Sequence, residues 1–137
     1  MKASPIVTLG LMLAVAACNA STAHLDPIQA GKDKDITTAT TAFGANDTIY
    51  LKSHAGNLPN KVTLTWHVVA ENVKGVQPNF AIPSLDRSTD MDADGDATYN
   101  LTPPSSGWPP GTYKITLTMM DEGTQRDQKS LEFTTGS

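Results

Sequence analysis

Cysteine is nearly missing from this 137-residue sequence; Cys18 is the single example, so no internal disulfide can brace a folded domain. No run of roughly 20 apolar residues occurs, which excludes a helix that stably spans a bilayer. Basic residues are outnumbered by acidic ones, 10 to 14. That balance excludes nucleic acid and a polybasic membrane patch as the basis of partner recognition. No segment joins helical periodicity to capping residues, so helical and α/β domains are excluded as well. There is no glycine-rich phosphate loop and no nucleophile elbow, the serines fall mostly in turns, and the acids cluster where water would screen them. The sequence therefore offers no reaction, and a non-enzymatic role is expected.

What is present begins with "MKASPIVTLGLMLAVAAC". Lys2 precedes an apolar run from Ile6 to Ala17, broken only by Thr8 and Gly10, a length and composition that suit a secretory signal. Val15, Ala16 and Ala17 directly before Cys18 resemble the lipobox of bacterial lipoproteins. The resemblance implies that residues 1–17 are a cleaved signal peptide. It also implies that Cys18 carries a diacylglycerol and commonly a third acyl chain such as palmitate. At about 0.8 kcal/mol per buried methylene, several chains hold far more firmly than one. The implied location is the bacterial cell envelope, tethered to a membrane. Asn19, where aspartate would resemble an inner-membrane retention signal, points to the outer membrane and its periplasmic face.

Removing residues 1–17 takes away Lys2 and no acid, which leaves 9 basic and 14 acidic residues in a chain of 120, enough for one domain. Residues 18–41 are small and polar without sustained apolar period, and read as the lipidated N-terminus and a flexible linker in which His24 is solvated. From there to residue 137 the period becomes two. In "KVTLTWHVV", Val62, Leu64, Trp66 and Val68 face one way while Thr63, Thr65 and His67 face the other. "DTIYLKS" sets Ile49 and Leu51 opposite Tyr50. "ATYNLT", "TYKITLTMM" and "KSLEFTT" alternate in the same manner. Weaker strands are expected around Ile36 to Ala42 and Val76 to Ile82. The total of about seven, punctuated by Gly and Pro turns, predicts an all-β sandwich over residues 42–137.

Trp66 in a long early strand, and "GTY" opening the penultimate one, resemble an immunoglobulin-like or fibronectin-type sandwich. The stretch "GWPPGTYKITLTMMDEG" is also similar to a "W-P-x-G-x-Y" ending of bacterial lipoproteins of unassigned role. The resemblance implies a core position for Trp66, a backbone-bonding corner for Tyr113, and a place for Trp108 at one end of the sandwich. Without a cysteine pair, the inward side chains must supply the stability.

"TDMDADGDATYNL" raises a metal question. Asp90, Asp92, Asp94, Gly95 and Asp96 match the first half of an EF-hand calcium loop, but its bidentate glutamate is replaced by Leu101 and no helix flanks it. An acidic turn is the expectation, with weak Ca²⁺ binding by Asp90, Asp92, Asp94 and Asp96 as the minority alternative. The functional expectation is a lipid-anchored module that binds a protein or envelope component. Its contacts would be Tyr50, Thr63, Thr65, His67 and Trp108. The alternative is a periplasmic ligand carrier or calcium-responsive module built on the Asp90 to Asp96 loop.

Overall fold

In the computed structural model, which describes residues 22–136, the period-two segments become strands. β4 (Ile49–Gly56), β5 (Val62–Val73), β8 (Gly95–Leu101), β9 (Gly111–Asp121) and β10 (Thr124–Thr135) carry most of the fold, and β1 (His24–Leu25), β2 (Gln29–Gly31), β3 (Ala42–Phe43), β6 (Phe80–Ala81) and β7 (Arg87–Met91) complete it. The described residues form an all-β sandwich of ten strands. In the first sheet β8 takes one side of β4 while β1 and β2 share the other, at different heights. In the second the order is β3–β10–β9–β5, and β6 and β7 both lie along the outer side of β5.

Alternation explains the packing. Val62, Leu64, Trp66, Val68 and Ala70 of β5 face Ile49, Leu51 and Leu101 of the other sheet across the core, beside Ile115, Leu117 and Met119 of β9. A fully buried side chain of this kind contributes about 1.5–3 kcal/mol. Ser53 stands in β4 where an apolar residue would fit, and its hydroxyl is satisfied by the Asp26 carbonyl at 2.6 Å. The β9–β10 hairpin turns through Glu122 (φ +50°) and Gly123 (φ +82°), the two left-handed residues that a tight hairpin needs. Tyr113 donates to the Pro109 carbonyl at 2.7 Å. Its ring stacks on Phe133 at 5.3 Å and meets Trp108 edge-on at 6.2 Å.

Two expectations are corrected. Among the described residues the strands number ten, where about seven were expected. The described part of the supposed linker is integral to the fold, since Ala23, Leu25, Ile28 and Ala30 are all buried. Segments of two and three residues around Pro27 are too short to show a period, and pairing with β4 supplies their order. β7, "RSTDM", has no apolar alternation because it is a largely exposed edge strand. The signal peptide and Cys18 lie outside the described residues.

Among the described residues, no strand pairs with β10 along its outer side from Thr124 to Phe133; β3 covers only Thr134 and Thr135. That edge is interrupted by a bulge between Gln125 and Asp127. The Asp127 carboxylate accepts the Leu25 N–H at 2.7 Å and pairs with Lys129 at 3.2 Å.

Candidate functional site

The sandwich has two poles. At the first lie β1, the loop after β4, the β7–β8 turn and the β9–β10 turn; at the second lie the ends of β5 and β8 and the start of β9. The acidic stretch is at the first pole, where the chain crosses from the second sheet (β7) to the first (β8). Its carboxylates are turned to separate tasks. Asp90 accepts the Thr63 hydroxyl at 2.9 Å, and Asp96 meets His54 Nδ1 at 3.0 Å. Asp94 accepts the N–H groups of Leu58 and Asn57, both at 3.0 Å, which hold its carboxyl below the ordinary aspartate range. Asp92 is exposed. The structure does not gather these four around one point, and among the described residues no group of three or more His, Cys, Asp or Glu could hold a metal ion. The acidic-turn expectation fits this geometry and the minority calcium alternative gains no support: the crossover carries Asp90 and Asp96 into different sheets and turns Asp94 to the backbone of the loop after β4.

The expected contact residues do not form one surface. Thr63, Thr65 and His67 lie on the outer face of the second sheet. Each bonds a residue from the β7 side: Asp90, Ser88 at 2.9 Å and Asp86 at 2.8 Å respectively. Tyr50 belongs to the outer face of the first sheet, where it lines an open depression of about 440 Å³ with Lys34, Asp35, Lys52, Asp96 and Asn100. Trp108 is buried, and its indole N–H donates to the Asp47 carbonyl at 2.8 Å. It plugs the second pole, so the expectation of an outward contact there is corrected. A buried indole with a hydrogen-bonded N–H is a packing element first.

The feature that sequence reasoning missed is an apolar groove at that second pole. Val73, Val76, Phe80, Ile82, Leu85 and Pro104 line a cavity of about 300 Å³ whose floor includes Trp108 and Tyr113. Phe80 is 49% exposed, the one large exposed hydrophobic among the described residues. The Trp108 N–H and the Tyr113 hydroxyl are both spent on backbone carbonyls. The floor therefore offers shape and apolar area, and few directional bonds. The only signal in the sequence was the apolar spacing of Val76, Phe80 and Ile82, which reads as a weak strand.

A second, more polar depression of about 370 Å³ opens between the free edges of β7 and β8, lined by Trp66, Arg87, Thr98 and Tyr99. The Arg87 guanidinium lies over the Tyr99 ring at 5.8 Å. The buried Trp66 indole N–H has no hydrogen-bond partner, at a cost of about 1–3 kcal/mol.

No protein-family model matches the chain, and no curated protein matches it in sequence. Solved structures do share its shape. One is an alkylpurine DNA glycosylase of Pseudomonas fluorescens bound to DNA containing an abasic site analog (TM-score 0.55, 11% identity over 90% of this chain). Another is a β-glucosidase from Listeria innocua in complex with glucose (TM-score 0.51, 10% identity over 85% of this chain). The match takes in 33% of the first protein and 16% of the second. At such identity the likeness is one of fold alone, and sandwich domains host unrelated tasks.

Proposed function

We propose that this chain is a lipid-anchored protein of the bacterial envelope, held to a membrane through Cys18, whose sandwich is a non-enzymatic binding module for another protein. The observation that carries the binding role is the Phe80 groove. An apolar hollow with an exposed aromatic at its rim is the arrangement that receives a partner's anchoring side chain. The sequence before Cys18 supports the anchor, and a favoured site is the outer membrane facing the periplasm. Tyr50, Thr63, Thr65 and His67 become peripheral, because their bonding groups are engaged within the sheets or face a mixed-charge surface. The acidic crossover lends no support to a calcium-responsive module.

In-cell crosslinking of the intact protein, compared with Cys18→Ser and Phe80→Asp forms, tests both parts. Cys18→Ser is expected to remove the acyl mass and release the protein from membranes. Phe80→Asp is expected to abolish one specific protein crosslink while leaving the melting temperature unchanged, since the side chain is half exposed. Crosslinks indifferent to Phe80→Asp would sink the groove as the binding site. Recovery of a small apolar molecule with the purified protein, lost in Phe80→Asp, would point to a carrier instead.

A further inference from the structure

The chain enters the sandwich at one pole and the groove opens at the other. β1 pairs beside Ala55 and Gly56, at the end of β4, and the fold grips it at once: Ala23 and Leu25 are buried. Val62 at the start of β5 pairs with Met91, three residues before Asp94, which bonds the backbone beside Gly56. The start of β5 therefore shares the entry pole. The groove is built where β5 ends, on Ala70 and Val73. Between the two lie the 12 residues of β5, a span of about 35 Å at the usual rise of a strand.

Covalent reach then sets the orientation. Three residues, 19–21, separate Cys18 from Thr22. The four peptide steps reach at most about 14 Å. Resting on the lipid anchor proposed above, we infer that the sandwich stands on its β1 pole and holds the Phe80 groove as the part farthest from the anchoring bilayer. Its occupant is an apolar side chain of a protein that approaches from beyond that membrane. Neither lipid of the anchoring leaflet nor this chain's own residues 19–21 can cross the length of β5 to fill the groove. The side faces do not favour a domain lying flat. Lys32 pairs with Asp47, and Lys34 and Lys52 share their depression with Asp35 and Asp96. These three lysines are each matched by an acid and do not form the unopposed basic cluster that anionic headgroups attract.

The test uses the full chain made and processed in a bacterium, with its acyl content read by intact mass. The protein is placed in phosphatidylethanolamine–phosphatidylglycerol vesicles with an acceptor dye on the headgroups. A donor is attached at Asn60→Cys or at Phe80→Cys, Cys18 being blocked by its lipid. Strong energy transfer is expected from position 60 and weak transfer from position 80. A flexible Gly/Ser spacer of about twenty residues between Cys18 and Thr22 should erase the difference. Equal or reversed transfer in protein that carries the acyl mass overturns the orientation, while absence of that mass overturns the anchor itself. A photo-crosslinker at position 80 should join protein in cells; attachment to phospholipid, or to nothing, overturns the assignment of the occupant.

Discussion

The Tyr99 hydroxyl donates to the Leu85 carbonyl at 2.7 Å. The bond ties β8, at the edge of the first sheet, to the 3-10 turn Pro83–Leu85 that flanks β5 in the second. It also forms the bar between the polar depression and the apolar groove on that open flank.

Tyr99→Phe should therefore cost about 1 kcal/mol and lower the melting temperature by about 4 °C for a domain of this size. Burial pushes the phenols of Tyr99 and Tyr113 above the ordinary tyrosine range. The unfolded chain then loses these protons first, so stability is complete below about pH 10 and falls as pH rises beyond it. Urea titrations between neutral and strongly alkaline pH check this; Tyr99→Phe should flatten part of the decline.

Asp127 holds β1 in place. Burial alone would raise its carboxyl, but the Leu25 and Gln128 N–H groups and the Lys129 ammonium outweigh it and keep the group below the usual aspartate range. A depressed folded pKa gives stability that is present above about pH 4 and is lost as pH falls through the folded value. Asp127→Ala should cost about 1.5–3 kcal/mol, the worth of a hydrogen bond to a charged group. Amide exchange at Leu25 is the direct readout. Its protection should fall on acidification, or in Asp127→Ala, before that of the β5 amides.

The Asp94 carboxylate is a clasp for the loop after β4, not a ligand. Millimolar calcium should leave the melting temperature of the wild-type protein unchanged. Asp94→Ala should be destabilised to the same extent with and without calcium, and Asp92→Ala should be neutral. A calcium-dependent rise that vanishes in Asp94→Ala would contradict this.

Gly111 opens β9 at φ +152°, and a methyl group there would collide with the Asn72 carbonyl oxygen and lie 2.6 Å from the Val73 Cα. These are backbone atoms of the neighbouring strand, so they cannot step aside. Gly111→Ala should cost upwards of about 3 kcal/mol. Gly75, at φ +81°, has nothing within 4 Å of the same position, so Gly75→Ala should cost only about 1 kcal/mol of backbone strain. Denaturant midpoints of the two variants separate steric collision from conformational preference.

β5, β8 and β9 were legible in the sequence because each repeats its alternation over enough residues to expose a period, and Trp66 in β5 and Leu101 in β8 fall inside just where that period sends them. β1 and β2 were not, since their burial comes from β4, reached only after the chain has folded back. Trp108 between Gly107 and two prolines reads as a loop tip. Its burial is decided by the Asp47 carbonyl, 61 residues away. The acidic stretch was legible as a turn, since Leu101 stands where a calcium loop needs glutamate, but the separate partners of Asp90, Asp94 and Asp96 were not, because the two sheets supply them. The groove needs Phe80, Leu85 and Pro104 from three segments, and no local pattern joins them.

The outer edge of β10 has one further consequence. Ten residues of backbone with one side unpaired would be a template on which copies confined at high local concentration could zip together. The bulge before Asp127 breaks the template's register, and the Asp127–Lys129 pair sets charge along its length. The same Asp127 carboxylate takes the Leu25 N–H, which brings β1 against this edge through a side chain and not through the β10 backbone. Such an edge lets copies crowd side by side without fusing into a continuous sheet.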